Sequence, residues 1–260
     1  MSELRPSSFR YEPGEIATIT LDRPDRLNAL TFDVYAELRD LFGTLVHDES
    51  VKVVIVTGEG RGFCSGGDVE DIIGRLLEQD MAQLLAFTRM TGALIRNIRA
   101  LPKPVIAAVN GVAAGAGAVI ALACDFRLAV PHASLAFLFT KVGLAGADMG
   151  AAYLLPRVVG LARATEILML GDRISAEAAL NLGLVNRVVA PEALMEEARA
   201  LAARLAAGPT FALGMTKTLL NQELDTDFAS AIEAEAQGQA ICMQTPSFRA
   251  AYEAFKARRG

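Results

Sequence analysis

The stretch KPVIAAVNGVAAGAGAVIALACDFRLA, residues 103–129, decides the fold. It carries no charged residue from Pro104 to Cys124, a length that could cross a membrane. One asparagine and three glycines interrupt it, at Asn110, Gly111, Gly115 and Gly117. They separate a β-branched half from a small-residue half, which favours a buried strand, a turn and a buried helix over a membrane span.

The same alternation of strand and helix extends outward in both directions. Apolar patterns predict strands at 16–21, 51–58, 104–109, 126–130 and 134–139. They also predict helices within 27–48, at about 81–100 and at 116–124, with Thr31 as the N-cap of the first. Strands that alternate with helices indicate an α/β fold. From Pro191 onward nearly every segment is helical in pattern, so we expect an α/β core over 1–190 and a helical C-terminal module over 191–260.

Composition excludes several classes of function. The chain has 25 basic and 30 acidic residues, interspersed without blocks, which predicts no nucleic-acid partner and no membrane partner. The N-terminus lacks the pattern of a secretory signal. Three cysteines cannot all pair within the chain, and none has metal-ligand spacing with either histidine, so we expect no metal and a cytoplasmic protein.

Two glycine-rich loops each run directly into a predicted helix. The first is RGFCSGGDVEDI, residues 61–72, and the second lies within NGVAAGAGAV, residues 110–119. Such loops expose backbone N–H groups and suit an anion or a developing oxyanion. The first loop is equally compatible with a tight turn in which Asp68 caps a helix. The spacing of the second does not match a dinucleotide-binding fingerprint.

With these motifs, the chain resembles the enoyl-CoA hydratase/isomerase (crotonase) family from LDRPDRLNAL at 21–30 through EAFKARR at 253–259. The segments FCSGGDV, LLPRVVG and TEILMLGDRISAEAALNLGLVNRVV carry the likeness, in addition to residues 103–129. The resemblance implies a crotonase-like spiral of ββα units with a helical C-terminal module, assembled as a homotrimer or a dimer of trimers. It further implies an acyl-CoA thioester as substrate, with no separate cofactor.

Family members hold the thioester oxygen with two backbone N–H groups, and the matching positions here are Gly67 and Ala116. These donors would stabilise the enolate formed when a proton leaves the carbon next to the thioester carbonyl. Members that hydrate enoyl-CoA carry two glutamates, whose places hold Val119 and Phe139 here. The usual carboxylate pair for water addition is therefore missing.

Asp148 is the only acidic residue between Asp125 and Glu166. It falls where the isomerases of the family have a catalytic aspartate, if one residue is inserted within GLAGAD. Desolvation would raise its pKa, whereas a following helix N-terminus would lower it, and the sequence does not rank the two effects. The alternative role for Asp148 is a helix N-cap.

For coenzyme A, the resemblance points to Arg26 near the phosphates and to the loop at Asp68 and Val69 around the adenine. The family places Phe63 by the pocket, although a core role is favoured for this residue. Phe255 and Arg258 match a C-terminal pattern that reaches CoA from a neighbouring subunit. We expect Cys64, His47 and His132 to have no catalytic role, and Asp125 to be structural.

The sequence thus predicts an acyl-CoA-processing enzyme in which Gly67, Ala116 and Asp148 are catalytic. Our preferred reaction is a double-bond shift by proton transfer through a single carboxylate. Two alternatives stay open at this point: hydration of an enoyl-CoA, and CoA binding without catalysis.

Overall fold

The computed structural model describes residues 6–258, and the elements below lie within that range. The strands, in chain order, are β1 (Arg10–Glu12), β2 (Ile16–Leu21), β3 (Val53–Gly58), β4 (Gly62–Cys64), β5 (Val105–Val109), β6 (Val112–Ala114), β7 (Phe126–Ala129), β8 (Ser134–Ala136), β9 (Arg173–Ser175) and β10 (Arg187–Val188). The helices are α1 (Phe32–Thr44), α2 (Met81–Ala100), α3 (Ala116–Ala123), α4 (Ala151–Val159), α5 (Leu161–Leu170), α6 (Ala176–Asn181), α7 (Leu194–Ala206), α8 (Thr210–Glu223), α9 (Phe228–Met243) and α10 (Pro246–Ala257).

The strands form two sheets. The larger has the order β1-β2-β3-β5-β7-β10 and is parallel except for its edge strand β1. The smaller has the order β4-β6-β8-β9 and is parallel except for its edge strand β9. Parallel strands buried on both faces are continuously apolar, as VVIV in β3 and VIAAV in β5 are.

Successive strand pairs build a spiral. β3 and β4, β5 and β6, and β7 and β8 each place one strand in the large sheet and the next in the small sheet. The first two of these pairs lead into α2 and α3, and the third leads through a 3-10 helix, Leu138–Val142, into α4. This arrangement of repeated ββα units confirms the predicted crotonase-like α/β fold.

The predicted strands and helices have the observed bounds where the apolar pattern extends over many residues. The strand at 16–21 and the helix at 81–100 have the expected bounds, and Thr31 caps α1 by accepting from Val34 N at 3.3 Å. The strand expected at 134–139 ends at Ala136. The strands β4 and β6, three residues each, were not expected, since so short a run cannot show alternation.

The chain is helical after residue 191, as expected, and its first helix there shares the core of the preceding residues. Leu194, Ala198 and Ala202 of α7 are buried and pack toward β3 and β5. Helix α8 is attached through Lys217, which pairs with Asp125 at 2.7 Å. A domain boundary at residue 190 stays a prediction.

Asp125 has the structural role that the sequence predicts. Its carboxylate accepts from Val105 N at 2.8 Å and pairs with Arg99 at 3.2 Å as well as with Lys217. It thereby joins β5, α2 and α8. Within residues 6–258, no helix combines the length and apolarity that a membrane span requires.

Candidate active site

The first glycine-rich loop follows β4 and is hydrogen-bonded to the segment that precedes α1. Leu27 O accepts from Ser65 N at 2.9 Å, Gly66 O accepts from Leu30 N at 2.8 Å, and Leu30 O accepts from Asp68 N at 2.9 Å. This pairing uses the carbonyl of Gly66 and the N–H of Asp68, the residues on either side of Gly67. Among residues 6–258, the Gly67 N–H has no hydrogen-bond acceptor.

Two asparagine side chains fix the turn between β3 and β4 that leads into this loop. Asn28, which is buried, donates to Glu59 O at 3.0 Å and to Gly62 O at 2.7 Å. Asn110 donates to Gly58 O and to Gly60 O, each at 2.9 Å. Because each amide side chain can satisfy several carbonyls, the turn stays rigid without forming a sheet ladder.

The second glycine-rich loop joins β6 to α3. Gly115 has φ of +52° and donates its N–H to Ala136 O at 2.8 Å. Ala116 is the first residue of α3, so its N–H has no acceptor within the helix. Within the described part of the chain no other acceptor faces it.

The two loops are in direct contact. A Cβ atom placed on Gly66, which has φ of +100°, would lie 3.0 Å from Ala114 O and 3.7 Å from Ala116 N. A Cβ placed on Gly115 would lie 3.8 Å from Gly66 Cα. Gly67 and Ala116, whose N–H groups have no acceptor within residues 6–258, each come directly after this contact. Such neighbouring donors, one of them at a helix N-terminus, suit an oxyanion.

Asp148 lies in the turn that precedes α4. Met149 and Gly150 have φ of +49° and +86°, so the helix begins only at Ala151. The Asp148 carboxylate accepts from its neighbour Met149 N at 2.8 Å and from no N–H of the helix. The N-cap alternative is therefore wrong, because the turn separates the carboxylate from the helix.

The charge environment of Asp148 favours its neutral form. It is half-buried and has no ion-pair partner within residues 6–258. Burial raises the pKa of the Asp148 carboxyl, and the hydrogen bond from Met149 N lowers this pKa less than burial raises it. Desolvation is thus the larger effect, and the opposing one comes from the Met149 N–H rather than from the N-terminus of α4 that the sequence suggested.

The places of the two hydratase glutamates are apolar and buried. Val119 is on α3, one turn after Ala116, and Phe139 is in the 3-10 helix that follows β8. Neither side chain can transfer a proton or orient a water molecule. Asp148, in the turn between this 3-10 helix and α4, stays the candidate carboxylate for proton transfer.

The comparisons with known proteins agree with this arrangement. The family model for enoyl-CoA hydratase/isomerase matches residues 12–260. The chain belongs to the enoyl-CoA hydratase/isomerase family.

The names of similar proteins in the family refer to two different reactions. The chain is 37% identical to the 1,2-epoxyphenylacetyl-CoA isomerase of Escherichia coli (strain K12), over 94% of this chain and 93% of that protein. It is 35% identical to the short-chain-enoyl-CoA hydratase of Clostridium acetobutylicum, over 95% of this chain and 93% of that protein. A crystal structure from Streptomyces coelicolor A3(2), assigned provisionally as an enoyl-CoA hydratase, has 52% identity and a TM-score of 0.96, covering 100% of this chain and 94% of that one. The relatives of this chain thus include both an isomerase and a hydratase by name.

Of the residues that the family resemblance links to CoA, two have internal roles. Phe63 is 0% exposed and belongs to the core, which was its alternative role, and its place beside the ligand stays a prediction. Asp68 accepts from Glu70 N at 3.0 Å and Asp71 N at 3.2 Å, and pairs with Arg23 at 3.1 Å. Its carboxylate is thus the cap of the short helix after the loop, which was the alternative role.

The other CoA candidates are accessible. Val69 is 73% exposed beside the first loop, and the exposed Arg26 side chain reaches Glu70 at 3.2 Å. Phe255 is exposed on α10 and Arg258 follows that helix, which packs against α9 rather than within the core. The structure thus brings Arg26 and Val69 to the first loop and leaves Phe255 and Arg258 on the outer helices.

The sequence analysis missed Tyr35, a buried residue of α1. The Asp148 carboxylate and the Cys64 thiol both contribute, after burial itself, to raising the pKa of Tyr35 well above its usual value. The phenol therefore lies within electrostatic reach of the residue before the first loop and of the candidate proton carrier. A tyrosine on the apolar face of an amphipathic helix is the signal that could have identified it.

The residues that were expected to be non-catalytic have environments that agree. Burial raises the pKa of Cys64 to about 12, so its thiol is not ionised near neutral pH and is a poor nucleophile. His47 and His132 are both exposed. In the part of the chain that is described, no three His, Cys, Asp or Glu side chains converge as metal ligands would.

Proposed function

We propose that this enzyme moves a carbon–carbon double bond within the acyl group of a CoA thioester. Asp148 takes a proton from one carbon of the acyl group and returns it to another. The N–H groups of Gly67 and Ala116 hold the thioester oxygen while it carries negative charge. The observation that carries this proposal is a half-buried, unpaired Asp148 in a site where both glutamate positions are apolar.

The unpaired amides account for stabilisation of the intermediate. Loss of a proton next to a thioester carbonyl places charge on the oxygen, and preorganised N–H groups stabilise that enolate more than the neutral thioester. Loss of one such donor costs roughly 10²–10³-fold in rate. Because both donors belong to the backbone, they survive side-chain replacement, including the alanine at position 116.

A single carboxyl balances the proton transfers. The Asp148 carboxylate accepts one proton, which leaves a carboxylic acid and the enolate, and the acid, whose proton exchanges with solvent, then gives a proton back at a different carbon. The raised pKa of Asp148 brings it closer to the acidity at which both steps are efficient. No water molecule enters the product, so the missing second carboxylate is not required.

The second candidate is hydration of an enoyl-CoA. It is favoured by the hydratase relative from Clostridium acetobutylicum, whose 35% identity is close to the 37% of the isomerase relative. Against it stand Val119 and Phe139, which leave no paired carboxylates to activate water. The apolar residues at both glutamate positions therefore favour isomerisation over hydration.

For the substrate we propose an acyl-CoA whose phosphates lie near Arg26 and whose adenine lies against Val69, with no separate cofactor. The chain would act as a homotrimer or a dimer of trimers, in which Phe255 and Arg258 reach the CoA of a neighbouring copy. Support comes from their position on α10, where Phe248, Tyr252 and Phe255 form an exposed apolar face.

The test is to incubate the enzyme in D₂O with straight-chain, dienoyl, aromatic and cyclic acyl-CoAs, and to follow the acyl protons by NMR. Deuterium incorporation with migration of the double bond, and no hydroxyacyl product, supports the proposal. A hydroxyacyl-CoA product would establish the hydratase instead. Tight binding of several thioesters with neither reaction would establish a CoA-binding protein without catalysis.

A further inference from the structure

Tyr35 lies in the interface between α1 and α2, where aromatic packing holds its ring. Its ring meets the Phe87 ring edge-on, with centroids 5.8 Å apart and an interplanar angle of 90°. Phe87 in turn packs against Phe32, at a centroid distance of 5.0 Å. Only 3% of Tyr35 is exposed, so its hydroxyl has one orientation set by packing.

The hydroxyl of Tyr35 lacks a protein partner. Within residues 6–258, it neither donates nor accepts a hydrogen bond. The unbonded side-chain atoms that are completely enclosed belong to Gln79, Arg99, Thr140 and Glu223, and the Tyr35 oxygen is not among them. The small accessible area of Tyr35 therefore includes its hydroxyl, which borders an open space. Buried hydroxyls in proteins nearly always have a partner, so this one points to a ligand atom.

That space adjoins the candidate site. Leu30, five residues before Tyr35, forms a β-bridge with Gly67. Cys64 and Asp148 both interact electrostatically with the phenol, so it lies near both of them. Because the phenol keeps its proton, it can donate a hydrogen bond to an acceptor on the ligand.

We propose that the Tyr35 hydroxyl donates a hydrogen bond to an uncharged oxygen on the acyl group of the substrate. The preferred acyl groups would then carry an ether, epoxide, carbonyl or hydroxyl oxygen, and hydrocarbon acyl groups would leave the donor unsatisfied. An acyl group with a second carboxylate is disfavoured, because Asp148 lies nearby. This inference rests on the proposed function for the position of the acyl group.

The experiment compares thioesters that differ only in the oxygen. Cyclohexenylacetyl-CoA is paired with its ring analogues in which one CH₂ is replaced in turn by oxygen. Wild type, Tyr35→Phe and the control Tyr11→Phe on the distant edge strand β1 are compared by kcat/KM for α-proton exchange. We expect Tyr35→Phe to lose about 10-fold or more on at least one oxygen analogue and less than about 3-fold on the hydrocarbon. Tyr11→Phe should change neither.

A thermal melt separates this role from a structural one. Because the hydroxyl has no partner in the protein, Tyr35→Phe should have the same Tm as wild type or a higher one. A clear fall in Tm, an equal loss on oxygenated and hydrocarbon thioesters, or no loss on any oxygen analogue would each overturn the inference.

A failure of the proposed function would give a different result from a failure of the Tyr35 inference. If wild type exchanges no α-proton, the proposed reaction is wrong, and the same thioester pairs are then compared by calorimetric Kd. A weaker Kd of Tyr35→Phe for an oxygen analogue alone would still support the hydrogen bond. Equal Kd values for both proteins on every pair would overturn it.

Discussion

Replacement of Asp148 by asparagine tests the proton carrier directly. The amide has nearly the shape of the carboxyl, and its oxygen can still accept from Met149 N, the 2.8 Å bond that holds the side chain in its turn. The loop before α4 should therefore keep its geometry. What the substitution removes is the ability to accept and return a proton.

The expected loss follows from what one acid–base group contributes. Positioned general acid–base catalysis is worth about 10²–10⁴-fold, or roughly 3–5 kcal/mol of activation free energy. Asp148→Asn should lower kcat for double-bond migration by that factor, with KM changed little, because the N–H groups of Gly67 and Ala116 still bind the thioester oxygen. Single-turnover NMR in D₂O measures the chemical step.

The pH dependence supplies a second readout. Asp148 must be ionised to accept a proton, so kcat/KM should fall as the pH drops through its raised pKa, above the ordinary 3.8 of aspartate. A raised pKa also means that the folded state binds more protons than the unfolded state, so Asp148 lowers stability as the pH rises between the two pKa values. Asp148→Asn should therefore raise Tm at neutral pH and leave it unchanged below the ordinary pKa.

The control is Asp172→Asn, which neutralises an exposed carboxylate paired with Lys141 at 2.6 Å. It should leave both kcat and the pH profile as in wild type. If Asp148→Asn retained activity within about 3-fold of wild type, or kept the acid limb of the profile, a different group would be the proton carrier.

Packing and charge give three further expectations. Gly117→Ala would place a Cβ 2.3 Å from the backbone of β4 and should lower the free energy of unfolding by about 1–3 kcal/mol. The control Gly92→Ala on α2, whose Cβ would have nothing within 4 Å, should be neutral or stabilising. Urea unfolding of the two variants measures the difference. Lys217→Met leaves the partly buried Asp125 without its 2.7 Å partner and should cost about 3–5 kcal/mol, measured in the same way, and a smaller loss than for an exposed lysine would contradict the role of this pair in attaching α8. Thiol titration of the native protein should modify Cys242 rapidly and the two fully buried cysteines only after unfolding, and rapid reaction of all three would contradict the described burial.

The sequence predicted those parts of the fold that repeat a pattern over many residues. α2 shows helical periodicity over its 20 residues, and β2 is a run rich in β-branched residues, so both were found with their bounds. β4 and β6 have three residues each and are strands only because neighbouring strands supply their hydrogen bonds. Their existence depends on tertiary pairing, which a local pattern does not contain.

Part of the candidate site could likewise be predicted from the sequence, and part of it could not. The glycine-rich loops before helices indicated where backbone donors could lie, and the family resemblance gave Gly67, Ala116 and Asp148 as the individual residues. Whether Asp148 capped a helix depended on the φ values of Met149 and Gly150, which the sequence does not reveal. Tyr35 was missed because it lies more than a hundred residues from Asp148, and only the fold brings their electrostatic environments together.

Helix α3 shows why the core and the site use the same element. Each of its eight residues is buried, so the unpaired groups at both of its ends need partners away from bulk water. At the C-terminal end the buried Arg127 donates to Leu122 O at 3.2 Å and to Ala121 O at 3.4 Å, and it also reaches Cys124 O. A cation is favoured there by the helix dipole, and the opposite end favours an anion. The protein supplies the partner at one end, and the Ala116 N–H at the other end is the donor that we propose for the oxygen of the substrate.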